Sequence, residues 1–339
     1  MSVNDTEFVR ILASIMAQSA PLLLAVTGET ITERAGVINL SLDGSMMFSA
    51  MGGFVVAYVV GGRLTDAGIT GHFLPVMAGL AVAALLGALV ALLIAWGSIR
   101  LKRDQVAIGF VLTMLLTSMA NFLGQGFTRL PGPRVKHMPI PILSDIPVLG
   151  PMLFRHDLLI YFSFLVVIAA WWWMYRTQPG LQMRGVGERP EAAFVRGITV
   201  NRVRYLYTAI GGALVGLGGA AYSLDIKIGW SDNHILGIGW IALAIVIFGG
   251  WRPFRAAFGA ILYGITRALA QVLQTSFPAV PVVLFNSLQW LLMLGVLLLV
   301  GSDAIHRLIL LAPKWAQRPL GNLLRVAPPA GLGTAFIEE

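Results

Sequence analysis

Residues 73–96 read FLPVMAGLAVAALLGALVALLIAW, 24 consecutive positions without a charged side chain. An α-helix rises about 1.5 Å per residue, so this run extends beyond the roughly 30 Å of hydrocarbon in a bilayer. Its apolar residues are continuous and do not alternate, which excludes a barrel strand. It has no polar face to turn toward water, which excludes a surface helix of a soluble domain. The stretch reads as a membrane-crossing helix, and it sets the terms for the rest of the chain.

Comparable runs flank it at 8–27, 37–60, 105–123, 158–175, 205–224, 237–250, 256–275 and 282–301. The fold expected is all-α, a polytopic transmembrane helix bundle of about nine spans over residues 1–301, followed by a tail at 302–339. Over the 339 residues 57% are hydrophobic and 12% charged, with a mean hydropathy of +0.79. A soluble domain carries about 25% charged residues. The seventh run is short, and Gly36, Asn39, Asp43 and Gly44 interrupt the second. Both read as broken or partly re-entrant helices, which a bundle tolerates where they line a cavity.

The net charge of +8 lies between the spans, so it marks a membrane protein and not a nucleic-acid binder. Sixteen of the 24 Lys and Arg residues fall in alternate loops at 28–36, 97–104, 176–204 and 251–255 and in the tail, against seven on the other side. The positive-inside bias makes the first group cytoplasmic, with the N-terminus outside and the C-terminus inside. Trp171, Trp172, Trp173 and Tyr175 close the fifth span as an interfacial belt. Only Arg10 precedes the first apolar run, so a removable signal peptide is not expected. Pro313, Pro319, Pro328, Pro329 and several glycines make the tail read as poorly ordered at its end.

No cysteine is present, and the five histidines stand apart from one another, so no metal site is expected. There is no G-x-x-x-x-G-K-[ST] phosphate loop, H-E-x-x-H or G-x-S-x-G, so no catalytic residue and no cofactor is expected. The polar features that remain are few. Asp43 at bilayer depth needs a partner, water or a function, since a charge there costs at least about 2.5 kcal/mol on insertion scales. Asn39, Ser41 and Asp43 either serve a pathway or tie neighbouring helices, with Glu29, Glu33 and Arg34 interfacial. Arg267, Gln271 and Gln274 share one helix face, which looks toward a pathway or toward Asn286 and Gln289. Gly212 and Gly216 give a GxxxG spacing for close helix contact. The longest connection on the charged side, 176–204, carries a breaker at Pro179-Gly180. A short helix then spans Glu188 to Val195, with Pro190 near its first turn and Gly197 ending it. A solvated loop that only sets topology is the alternative.

Three separated stretches resemble one known family. ERAGVINLSLDGSMM (33–47) is similar to the segment SERSGVxNLGxEGxM of permease subunits in the nucleoside and simple-sugar branch of ABC importers, within the broad family that includes ribose and branched-chain amino acid permeases. ILSDIPVLGPMLF (142–154) resembles that branch's LSDIPxLGPxLF, and RGVGERPEAAFVRGITV (184–200) resembles its RAVGENPxAAxxxGIxV. The chain departs at Ser41, Asp43 and Arg189, where Gly, Glu and Asn are usual, so the resemblance does not reach the identity of the solute.

The resemblance implies a permease subunit of an ATP-driven importer, not an enzyme, in the cell (inner) membrane, moving a nucleoside or simple sugar by alternating access. It makes Glu188, Arg189, Pro190, Glu191, Ala192 and Ala193 a coupling helix that docks in a cytoplasmic ATPase. Further partners would be a second, non-identical permease subunit, an extracytoplasmic solute-binding protein and membrane lipid. The pathway would run by Asn39, Ser41 and Asp43; Asn121, Asn286 and Gln289 are added from the inferred helix faces. A secondary transporter or channel without an ATPase, using Asp43 or Arg267, is the rival. An intramembrane enzyme or scaffold is a second.

Overall fold

The computed structural model describes residues 3–69, 71–301, 313 and 327–336. Eleven α-helices run through them: α1 Val3–Arg34, α2 Leu42–Asp66, α3 Phe73–Ala95, α4 Gln105–Gly124, α5 Leu158–Arg176, α6 Gln178–Glu188, α7 Pro190–Val195, α8 Val200–Ala221, α9 Ile238–Phe248, α10 Pro253–Ser276 and α11 Val282–Gly301. A π-helical turn extends α3 to Arg100 and another extends α8 to Ile226. Seven of the helices are long and apolar enough to cross a membrane, and α9 and α11 are shorter apolar helices. The chain is thus a polytopic helical membrane bundle, and among the described residues β-structure is limited to isolated bridges in the loops.

Helices α1 and α8 form the hub. α8 packs on α1, α3 and α2; α10 lies across α1; and α2 also packs on α3 and α4. Between lipid-like surroundings and an apolar helix there is little hydrophobic drive, so close van der Waals approach holds such a bundle together. The glycines of α8 allow it. A Cβ on Gly211 would lie 2.5 Å from the Gly28 carbonyl of α1, and one on Gly212 would lie 2.5 Å from the Gly87 carbonyl of α3. The expected GxxxG spacing therefore serves the α3 face, while Gly211 serves α1. Large apolar side chains point outward from α3, α4 and α11, among them Leu89, Phe110, Phe122 and Leu291, as a lipid- or subunit-facing surface requires.

Loops expected to share a side do meet. At one end Arg34 reaches Glu188, Gly250 and Trp251, and Gln105 reaches Ile38. At the other, Arg129 bonds Trp230 and Asn121 bonds Asn233.

Three boundaries differ from the sequence reading. α1 continues to Arg34 and α2 begins at Leu42, so the second-helix break occupies 35–41, and Asp43 and Gly44 lie inside the first turn of α2. Pro179 opens helix α6, because proline in a first turn lacks only an N–H that would have no helical partner. The short helix starts at Pro190, after a break at Arg189, and is capped beyond its end by Gly197 at φ +80°. In the tail, 302–312, 314–326 and 337–339 lie outside the described residues, but 327–336 is a compact turn seated on the helices.

Candidate functional site

A buried non-helical backbone must find hydrogen-bond partners within the protein. Segment 35–41 finds them on two helices. Gly36, at φ +93°, turns the chain out of α1. The Ile38 N–H donates to Gln105 Oε1 (2.7 Å), and the Asn39 N–H to Glu29 Oε1 (3.3 Å). The Leu40 carbonyl accepts from Thr113 Oγ1 (2.9 Å), and the Asn39 amide oxygen takes both Ser41 N–H (3.2 Å) and Ser41 Oγ (2.7 Å). Glu29 and Glu33 are 0% and 3% exposed, and the Trp251 indole N–H donates to Glu33. The break is a built feature held by α1 and α4, and the α9–α10 turn bonds the end of α1 just before it.

Asp43 leaves this network and turns to α9. Its Oδ1 accepts the backbone N–H groups of Gly237 (2.8 Å) and Gly239 (2.9 Å). Gly239 allows the approach, since a Cβ there would lie 2.3 Å from the backbone of Asp43.

The six polar residues expected to line a pathway do not converge. Asn39 and Ser41 are bonded together and Asp43 is two residues on. Asn121 sits at the opposite end, where its side-chain amide donates to Asn233 Oδ1 (2.8 Å) and its oxygen accepts the Asn233 N–H (3.2 Å). Asn286 is exposed on α11, and Gln289 is buried with Oε1 lacking a hydrogen-bond partner. Gln271 and Gln274 are exposed, while Arg267 is half-buried with its Nε lacking a partner. The buried hydroxyls of Tyr222 and Tyr263 lie beside each other. These two tyrosines lie near Arg267 and were not legible in advance, because an aromatic in an apolar run reads as core.

At the charged end, α6 and α7 form a bent pair. Thr177 caps α6 by accepting the Gly180 N–H (3.3 Å). α7 turns Pro190 and Ala193 inward and exposes Glu191, Ala192, Phe194 and Val195, with Glu188 and Arg189 exposed just before it. Its outward side thus mixes apolar Ala192, Phe194 and Val195 with charged Glu188, Arg189 and Glu191. Arg34 ties it to the bundle: its Nη1 donates to Glu188 Oε1 (3.0 Å) and its Nε to the Trp251 carbonyl (2.8 Å). The end of α1, the α9–α10 turn and the α6–α7 pair thus share one guanidinium. Among the described residues no cluster of three metal-ligating side chains occurs.

The model of the family described as branched-chain amino acid transport system / permease component matches residues 11–301. A putative glucose ABC transporter permease protein of Haloferax volcanii is 39% identical over 252 residues, 73% of this chain and 73% of its own length. A nucleoside ABC transporter permease protein of Lactococcus lactis is 35% identical, covering 77% of this chain and 82% of its own. A guanosine ABC transporter permease protein of Bacillus subtilis is 33% identical, covering 77% and 81%. No solved structure matches.

Proposed function

This chain belongs to the branched-chain amino acid transport system permease family and is a membrane permease component of an ABC importer, and from that premise we propose that its solute is an uncharged, hydroxyl-rich molecule, a nucleoside or simple sugar. The relatives named above carry those solutes in their names. The amide and hydroxyl groups of Asn39 and Ser41 suit such a solute, and the carboxylate of Asp43 is already engaged by two backbone amides.

In this reading α7, with Glu188 and Arg189 before it, is the element that an ATPase subunit grips. The carrying observation is the split of that element into an inner face, Pro190 and Ala193, and an outer face, Glu191, Ala192 and Val195, with Arg34 bonding its foot to the end of α1. Displacement of α7 by the ATPase is passed to the break at 35–41, and the helices on either side alternate a central cavity between outward and inward access. The charged end faces the cytoplasm, with the N-terminus outside. A second, non-identical permease completes the cavity and a solute-binding protein delivers to the outer face.

The test is uptake of labelled guanosine, glucose and leucine into proteoliposomes holding the purified complex. ATP-dependent, saturable import of guanosine or glucose and not leucine is expected. Import driven by an ion gradient through this chain alone would contradict the reading.

A further inference from the structure

Arg204, at the foot of α8, is 1% exposed. A buried guanidinium must be met by acceptors. Here its Nη1 donates to the Thr334 carbonyl (2.9 Å) and its Nη2 to the Gly331 carbonyl (3.4 Å), so the C-terminal segment 327–336 supplies both acceptors. The same segment reaches two other elements. The Gly331 N–H donates to the Gly187 carbonyl (2.8 Å), and the Ala330 N–H to the carboxylate oxygen of Glu188 that Arg34 leaves open (3.2 Å). The Gly333 N–H donates to the Gly36 carbonyl (3.2 Å), on the break itself.

Side chains complete the seat. Phe336 packs at a tilt against Phe194 of α7 with ring centroids 5.5 Å apart and closes a small apolar cluster with Val186, Ala193 and Val200. Two glycines make the fit possible. Gly333 sits at φ +74°, a left-handed conformation that other residues rarely adopt, and a Cβ there would lie 2.8 Å from Ile38. A Cβ on Gly331 would lie 2.9 Å from the Gly187 carbonyl and 3.0 Å from Pro190. These interactions fall on the inner side of α7 and on Phe194 beside it. Glu191, Ala192 and Val195 stay exposed, so an ATPase and the tail can hold α7 at the same time.

We propose that residues 327–336 are a coupling strap, positioned by Arg204, that fastens α7 to the break between α1 and α2 and carries the displacement of one to the other. This rests on the reading of α7 as the ATPase-gripped element. Without the strap α7 packs chiefly on α6 and α8, and its remaining tie toward the break is the ion pair of Arg34 with Glu188, whose carboxylate is half-exposed and so screened by solvent. Coupling between two sites requires an element whose position both of them bias. The strap touches both.

The experiment uses the full complex in lipid, with hydrogen exchange of residues 36–40 compared between the nucleotide-free and ATP-vanadate-trapped states. Two variants are set beside the intact chain: removal of residues 327–339, and Gly333→Val, which keeps the length and every residue that bonds Arg204. In the intact complex trapping is expected to change exchange at 36–40 by at least about fivefold, within the usual range of a coupling between sites. In both variants ATP hydrolysis is expected to stay within about twofold while that change disappears. A change that persists in Gly333→Val overturns the strap. So does loss of the ATPase from that variant, which would make the segment an assembly element. An intact chain that purifies without any ATPase overturns the reading of α7, and the strap with it.

Discussion

Asp43, in the first turn of α2, accepts at Oδ1 the backbone N–H of Gly239, 2.9 Å away in the first turn of α9. The same oxygen takes the N–H of Gly237, so one carboxylate satisfies amides at the start of a helix 194 residues away in sequence. It also lies in its own helix's first turn, where a negative charge is favoured. This answers the question the sequence raises about a charge at that depth: its compensation is backbone N–H, not a cation.

Asp43→Ala leaves two buried amides unmet at the start of α9 and is expected to cost about 2–4 kcal/mol. Asp43→Asn keeps an acceptor oxygen and should cost about half as much. Thermal unfolding in detergent measures both; equal stability of the two variants would remove the energetic role of the capture.

The α3–α8 contact depends on missing side chains. A Cβ at Gly216 would lie 2.1 Å from the Ala83 carbonyl, whereas one at Gly62 meets nothing within 4 Å. Gly216→Ala should therefore destabilise by about 1–3 kcal/mol through forced separation of the helices. Gly62→Ala should be neutral or slightly stabilising, since alanine has the better helix propensity. The two are compared by the same melting assay.

On the reading that an ATPase grips α7, Ala192→Glu adds charge to an exposed contact position and leaves the inner face of α7 intact. Uptake should fall at least about tenfold, the effect of about 1.4 kcal/mol at the contact. Membrane insertion should be unchanged. Normal uptake in this variant would move the docking edge elsewhere.

The loop between α8 and α9 carries a pH dependence. His234 is edge-on to Trp230, with ring centroids 4.9 Å apart, and its pKa is lowered to about 4 by burial, with the charge of Lys227 adding to the effect. An unfolded histidine titrates near about 6.5, so below that pH the unfolded loop binds a proton that the folded loop refuses. Stability is full above about pH 6.5 and declines as pH falls toward 4, by up to about 3 kcal/mol. Burial lowers His156 as well, which adds in the same direction. Protection factors of amides across 225–237, taken relative to the intrinsic exchange rate at each pH, should fall between pH 6.5 and 4.5, and His234→Gln should flatten most of that slope.

The spans were legible because hydropathy is local and additive: a run such as 73–96 needs no knowledge of its neighbours. The break was legible as a break but not in position. Val37, Ile38 and Leu40 look like the start of an apolar helix, and only the distant side chains of Glu29, Gln105 and Thr113 show that their backbone is satisfied without one. The resemblance put Asn39 on the pathway and an inferred helix face added Asn121, but neither carries information on depth, and the two lie at opposite ends of the bundle. The tail was hardest to read. Proline and glycine suggest loose chain, while the acceptors that Arg204 needs lie about 130 residues downstream of it.

The central claim, that this permease works through an ATPase held at α7, is tested most directly by affinity purification of the intact chain and of Ala192→Glu from their native membrane in mild detergent. Co-purification of an ATPase bearing a G-x-x-x-x-G-K-[ST] loop and of a second permease with the intact chain, and loss of the ATPase from the variant, is the result predicted. Recovery of the intact chain alone, in a detergent that keeps other membrane complexes together, would contradict it.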